Sequence, residues 1–319
     1  MTVSIIIAVK TWQKNLEECV GKCLNLDYPA FEILILPDHP LDNAFSHPKV
    51  KVIPTGLLTP PRKRDMALDY AKGEILAFID DDAYPEKDWL RNALKNFQDS
   101  EVAAVGGPAV TPDEDSLKQK ASGLVYASVL VSGKFIYRYL PKDRLEVDDY
   151  PSCNFLVRKS VMQQLGGFQT DFWPGEDTKL CLEITKELGR KIIYDPQVLV
   201  YHHRRPVFLA HLRQIANYAL HRGYFVKKYP QTSLKIAYFL PSLLLIGIFS
   251  GGGLALSLVS LRAMYFLGLS LYLFLVIIFS LSRKLRLMPL VFSGIIFTHL
   301  TYGFYFIKGL LSMRLREEK

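Results

Sequence analysis

Ile75-Leu76-Ala77-Phe78-Ile79-Asp80-Asp81-Asp82 decides how this chain is read. Five apolar residues in a row suit a strand buried on both faces, as in a parallel sheet. Three carboxylates follow at once, at the C-terminal end of that strand. Like charges packed so closely repel, and a divalent cation offsets them. Hard cations such as Mg²⁺ or Mn²⁺ prefer carboxylate oxygens, and Mg²⁺ combines one or two carboxylates with substrate phosphates. Ligands of open α/β sheets also sit at the carboxyl ends of strands. The triplet therefore reads as a metal-diphosphate site; in isolation it would equally suit a solvated acidic turn.

Outward from this strand, residues 1–200 alternate strand and helix patterns. Strands are predicted at residues 4–9, 31–36, 50–53, 75–79, 102–105, 191–194 and 198–201. Helices are predicted at 16–24, 62–71, 89–97, 160–165 and 177–188. This alternation predicts an α/β fold, a Rossmann-like and mostly parallel sheet with helices on both faces. Residues 113–150 are less regular and read as a loop over the site.

The chain has 319 residues, of which 50% are hydrophobic, and they are unevenly placed. From residue 236 to 282 the only charge is Arg262, and residues 287–307 carry none. Runs of this length suit a bilayer. Residues 1–9 have no basic start and no small-residue cleavage site, so they read as a first strand and not as a signal peptide. The N-terminal domain is expected in the cytosol. Cys19, Cys23, Cys153 and Cys181 suggest neither a disulfide framework nor a zinc site, and read as packing residues.

The formal net charge is 39 − 31 = +8. From His202 through Lys235 there are seven Lys or Arg and no Asp or Glu. Such a block before a membrane segment favours the cytoplasmic side and attracts anionic headgroups. No nucleic-acid motif accompanies it, so no nucleic-acid partner is expected. Three parts follow: a catalytic domain at 1–205, basic amphipathic interface helices at 206–235, and a membrane region at 236–319 with two or three transmembrane helices. The basic loop 282–286 and the basic tail 308–316 both belong on the cytosolic side. A third full crossing would put the tail outside, so the last apolar block is either a crossing or a re-entrant or interfacial segment.

By these motifs, in this order, residues 3–203 resemble the family 2 glycosyltransferases, which have the GT-A fold. The resemblance implies sugar transfer from a nucleotide-sugar donor with inversion at the anomeric carbon, aided by Mn²⁺ or Mg²⁺. Asp80-Asp81-Asp82 resembles the family's DxD motif. Asp80 would then lie toward the donor ribose and Asp82 would bind the metal, while Asp81 faces away. Lys63-Arg64-Asp65 ahead of Gly73-Glu74 is similar to an Arg-Asn pair, with Asp65 in place of the usual Asn. Arg64 would contact the donor, since a guanidinium suits phosphate.

Asp38 follows the second strand, where the family reads the nucleobase, and Ala8 and Lys10 would lie beside that pocket. The proline usual after the first strand is absent. Cys153-Asn154-Phe155 with Gly166-Gly167-Phe168 resembles the region bordering donor sugar and acceptor, which puts Asn154 near the donor. Gly175-Glu176-Asp177 resembles the family's ED motif. Inverting transfer needs a base for the acceptor hydroxyl's proton; the resemblance assigns it to Asp177, with Glu176 supporting. Either acid also suits a helix N-terminus. In Tyr201-His202-His203-Arg204-Arg205, His203 is the preferred third metal ligand. Arg204 and Arg205 would steer the diphosphate or a lipid phosphate. The QxxRW signature of processive synthases is lacking, so few additions are expected.

The expected protein is thus a multi-pass enzyme of the cell (inner) membrane. Its partners would be a nucleotide-sugar donor, a lipid-linked acceptor and the bilayer, and a homo-oligomer stays open. Two alternatives differ in class. A sugar nucleotidyltransferase would carry a Gly-rich loop after the first strand, where this chain has Lys10-Thr11-Trp12-Gln13. A membrane scaffold that only binds sugar nucleotides would not need Asp177.

Overall fold

The computed structural model describes residues 1–41, 45–282 and 284–318. Arg283 of the basic loop lies outside the described residues. The described chain divides into two compact units, residues 1–110 with 137–203, and residues 111–136 with 204–319.

The first unit opens with β1 (Val3–Ala8), α1 (Lys14–Leu24), β2 (Phe31–Leu36), β3 (Val50–Val52) and α2 (Pro60–Ala67). Then come β4 (Ile75–Ile79), β5 (Ala83–Pro85), α3 (Trp89–Asn96), β6 (Val102–Gly106) and β7 (Ala109–Val110). The second unit contributes α4 (Leu117–Tyr126) and α5 (Val129–Ser132) at this point of the chain. The first unit resumes through β8 (Leu145–Val147), β9 (Asn154–Arg158), α6 (Lys159–Leu165), α7 (Glu176–Leu182), β10 (Lys191–Tyr194) and β11 (Val200–His202).

Eight strands form one sheet in the order β3-β2-β1-β4-β9-β6-β10-β8, and β5-β11-β7 form a small second sheet. The large sheet is more mixed than the alternation predicts. β9 runs antiparallel to both β4 and β6, and β8 runs antiparallel to β10. β8 and β9 thus share one direction, opposite to β4, β6 and β10, and neither is among the strands predicted from the sequence. All five residues of β4 are buried, as are all five of β6. Strands covered on both faces need apolar residues at every position, not alternate ones.

The helices follow their apolar spacing. In α1 the buried residues are Leu16, Cys19, Val20 and Cys23, one stripe at helical period. Cys19 and Cys23 thus pack the core. α6 ends at Gly166, whose φ of 75° is the left-handed C-cap that glycine adopts at least cost.

The second unit is helical. Residues 113–150, read as irregular, in fact hold α4, α5, a 3₁₀ turn at Gly133–Arg138 and β8. α4 starts with a capping box between Ser116 and Gln119. The rest of the unit is α8 (Leu209–Lys228), α9 (Pro230–Ser233), α10 (Ile236–Ser257), α11 (Val259–Ser280) and α12 (Met288–Leu311). α10, α11 and the segment around α12 are long and apolar enough to cross a membrane.

Candidate active site

β4 ends at Ile79, and the acids follow in the first turn beyond the sheet. Asp80, Asp81 and Asp82 are each half-buried. Asp81 accepts from the Gln13 side chain and so turns from its neighbours. Asp80 and Asp82 converge instead with His202, their ligand atoms all lying within 4.8 Å of one another. The Nε2 of His202 is 3.0 Å from Asp82 Oδ1.

The small sheet builds this approach. β11 pairs antiparallel with β5, and His202 stands opposite Ala83, one residue past Asp82. Successive side chains point to opposite faces of a strand. His203, the ligand preferred from the sequence, therefore turns away. Its Nε2 lies 3.0 Å from Glu18 Oε2, while its backbone N–H donates to Asp82 O at 2.9 Å. The structure thus replaces His203 by His202 at the acid cluster.

The donor set fits a divalent cation. Two carboxylates supply the hard oxygens that Mn²⁺ and Mg²⁺ prefer, and one imidazole supplies a softer nitrogen.

Arg64 ties this cluster to the second acidic motif. Its guanidinium donates to Asp80 Oδ1 at 2.9 Å and to Glu176 Oε1 at 2.8 Å. Both Arg64 and Glu176 are buried, with side chains 5% exposed. Burial pushes the Glu176 carboxyl up to about 7; Asp177 adds to the rise and Arg64 opposes it. Glu176 Oε2 also accepts from the Gly175 N–H at 3.0 Å. Asp177, half-buried, accepts from Thr178 N at 2.8 Å and from Ser152 N at 3.4 Å. Both acids lie in the first turn of α7, where the helix dipole favours negative charge.

Asp38 lies beyond β2 and pairs with Lys63. Lys63 is 2% exposed, and its ammonium also donates to the backbone oxygens of Val9 and Leu36. One cation thereby joins the ends of β1 and β2, beside Ala8 and Lys10. Asp38 N also donates to Lys10 O at 2.9 Å. Sequence reasoning missed Lys63; the signal was a lysine at a helix position that faces the sheet.

Asn154, expected near the donor, and Asp65, to which no donor role was assigned, both hold backbone groups. Asn154 is fully buried and its amide is turned inward. Its Nδ2 donates to Gly107 O and Val198 O at 2.7 Å each, and its Oδ1 accepts from Trp89 Nε1 at 2.8 Å. Asp65, in the place of the usual Asn, accepts from Phe168 N at 2.6 Å and from Gln169 N at 3.2 Å. Burial lifts the Asp65 carboxyl above its ordinary range, and those two backbone donors oppose the rise. Arg204 and Arg205 belong to the second unit. There Arg204 is buried over the Tyr126 ring, and Arg205 is exposed.

Comparison with known proteins is consistent with this arrangement. Residues 4–166 match the profile described as "Glycosyl transferase family 2". The chain is 30% identical over 146 residues to the "Pre-mycofactocin glycosyltransferase" of Mycobacterium tuberculosis, covering 46% of this chain and 30% of that protein. The chain thus spans less than a third of that relative's length. It is 22% identical over 243 residues to a "Dolichyl N-acetyl-alpha-D-glucosaminyl phosphate 3-beta-D-2,3-diacetamido-2,3-dideoxy-beta-D-glucuronosyltransferase" of Methanococcus voltae, covering 71% of this chain and 74% of that protein. Among solved structures, "Mannosyltransferase PcManGT from Pyrobaculum calidifontis in complex with GDP-Man and Mn2+" superposes with a TM-score of 0.67 at 18% identity. That likeness covers 98% of this chain and 88% of the other, so the two share a fold. The shared fold is the expected GT-A arrangement.

Proposed function

The chain belongs to glycosyl transferase family 2, and from that premise we propose that it is an inverting, metal-dependent glycosyltransferase acting at a membrane surface. Its donor is a nucleotide sugar. Its acceptor is a hydroxyl or phosphate group on a lipid-linked carrier. The observation that carries the reading is the convergence of Asp80, Asp82 and His202, coupled through Arg64 to the Glu176-Asp177 pair.

Asp80, Asp82 and His202 would hold the divalent cation. Bound there, it supplies charge neutralisation for the leaving nucleoside diphosphate. The other groups bind, orient and move a proton. With a hydroxyl acceptor, Asp177 takes the proton from the acceptor oxygen as that oxygen bonds to the anomeric carbon; the bond from that carbon to the diphosphate oxygen breaks, and the nucleotide keeps the electron pair. Arg64 fixes Asp80 and Glu176 in place while donor binds. The cluster Lys63–Asp38, at the ends of β1 and β2, borders the nucleoside.

Three long apolar helices support anchoring, and the basic run through α8 supports a catalytic domain on the cytosolic face of the cell membrane. A relative whose name specifies a dolichyl-linked saccharide supports the lipid acceptor.

The test is transfer by purified, detergent-solubilised chain. UDP-, GDP- and dTDP-sugars are screened with Mn²⁺ or Mg²⁺, with and without membrane lipid extract. Metal-dependent nucleotide release that rises with lipid is expected. An Asp177→Asn variant should lose about 10²–10⁴-fold in transfer while retaining donor binding. Unchanged transfer by that variant would remove Asp177 as the base. Donor binding without turnover of any donor would favour the scaffold reading.

A further inference from the structure

Hydropathy gives three helices able to cross a bilayer, but packing separates them. The most apolar stretches of α10 and α11 are each 11% buried, against 39% for that of the segment containing α12. The difference comes from α8.

Within the second unit α8 and α12 run parallel and in step. His211 Nε2 lies 2.9 Å from Thr298 Oγ1, and Lys227 Nζ donates to Ser312 O at 2.6 Å, at sequence separations of 87 and 85. Between these points the backbones touch. A Cβ on Gly223 would stand 2.1 Å from Phe306 O, and one on Gly309 would stand 2.0 Å from Leu220 O. Helices packed along their whole length share one range of depth in a membrane. Yet α8 carries Arg213, Arg222, Lys227 and Lys228, of which Arg213, Lys227 and Lys228 are exposed. A helix so charged is not placed in hydrocarbon. Its partner α12 stays with it.

The contacts of α12 with the other two helices agree. It meets α10 at Phe239, Pro241 and Ser242, in the first two turns of that helix. It meets α11 at Tyr272 and Val276, in its C-terminal half. Both places are the base of the α10–α11 hairpin. The far half of the hairpin closes on itself. There the Tyr265 ring lies against Gly251 and Gly252, and its hydroxyl donates to Ile248 O at 3.2 Å. Arg262 donates to Ala255 O and Leu256 O at the end of α10. α12 therefore lies across the foot of the hairpin.

We infer that the chain crosses the bilayer twice, through α10 and α11, and that α8 and α12 lie together in the headgroup region as a platform whose partner is the lipid surface on the α8 side. The inference rests on the membrane anchoring proposed above. Phe297, Phe304 and Leu311, exposed on α12, supply the apolar contact, and the cations of α8 supply attraction to anionic headgroups. The tail returns to α8 as well: His221 Nε2 is 3.1 Å from Glu317 Oε1, and Glu318 meets Tyr224 and Lys228. Lys284, Arg286, Arg314 and Arg316 then all fall on one side, as the positive-inside bias requires of an even number of crossings.

The test uses the full chain in sealed membrane vesicles of known orientation and a membrane-impermeant maleimide. Leu258→Cys marks the hairpin turn, Lys284→Cys the loop before α12, and Met313→Cys the tail; the unsubstituted chain gives the blank. The expected result is labelling of Lys284→Cys and Met313→Cys from one face and of Leu258→Cys from the other. Arg314→Cys repeats the tail reading if Met313→Cys fails to accumulate. Labelling of the tail from the face that labels Leu258→Cys would overturn the inference. Release of the protein by alkaline carbonate, with all positions labelled from the outside, would overturn it together with the anchoring itself, and is distinguishable by the extraction.

Discussion

Asp80 and Glu176, 96 residues apart in sequence, share one guanidinium. Arg64 reaches Asp80 at the end of β4 at 2.9 Å and Glu176 at the start of α7 at 2.8 Å. The two acidic motifs of the site are therefore one electrostatic unit, and a change at either is felt at the other.

Removing Arg64 tests that unit. In Arg64→Met the buried Glu176 loses its cation, and breaking a buried pair by removing one partner costs about 3–5 kcal/mol. Denaturant unfolding of the detergent-solubilised protein should show a loss of that order. Arg64→Lys should recover part of the stability and little of the donor affinity, because one ammonium does not span both carboxylates in fork geometry. Equal stability of Arg64→Met and the parent would contradict the shared-cation description.

The raised Glu176 carboxyl predicts a pH dependence with a definite sign. The fold holds its proton up to about 7, whereas the ordinary value is 4.5. The stabilisation is therefore fully present below 4.5 and is lost as pH rises through about 7. Asp65, also raised by burial, acts in the same sense. Thermal midpoints should fall between pH 5 and pH 8, and Glu176→Gln should flatten the part of that fall centred near 7. A fall centred near 7 that survives unchanged in Glu176→Gln would belong to another group.

The two tandem histidines should separate in metal binding. His202→Ala removes a group facing Asp82 and should weaken Mn²⁺ binding by roughly tenfold or more, since loss of even an outer partner commonly costs 10–100-fold. His203→Ala removes the contact to Glu18 and should leave Mn²⁺ affinity within about twofold of the parent, well below that range. Mn²⁺ titration followed by electron paramagnetic resonance measures both. The reverse ranking would return the ligand role to His203.

Asn154 should behave as a core residue. Asn154→Leu leaves Val198 O and Trp89 Nε1 without this partner in a dry place, each at about 1–3 kcal/mol, and leaves Gly107 O to the Tyr150 hydroxyl. Loss of folded protein is expected. A folded variant impaired only in donor affinity would instead place Asn154 against the donor.

What could be read from the sequence was local. Asp80-Asp81-Asp82 and Glu176-Asp177 announce themselves because the chemistry lies within a few consecutive residues after an apolar run or before a helix. Which histidine faces the acids depends on the pairing of β11 with β5, where a shift of one residue exchanges the two faces. Nothing in Tyr201-His202-His203 fixes that register. The same holds for Lys63 with Asp38, a pair made by the meeting of α2 with two strand ends. β9 itself is not among the predicted strands, since Cys153-Asn154-Phe155 reads as a motif bordering donor sugar and acceptor and not as part of a strand, so its antiparallel entry is missed with it. The hydropathy of α12 was plain, but its depth is set by the cations of α8, on a helix more than sixty residues earlier in the chain.

The carboxylate of Asp65 meets two backbone donors, one on each oxygen: Phe168 N at Oδ1 and Gln169 N at Oδ2. An amide offers one acceptor and one donor. Installing the Asn usual at this place would set an N–H against an N–H in the turn that follows α6. The typical residue of the family is thus the wrong one in this background, and a consensus-guided redesign of the chain would have to change position 65 and the 167–169 turn together or not at all.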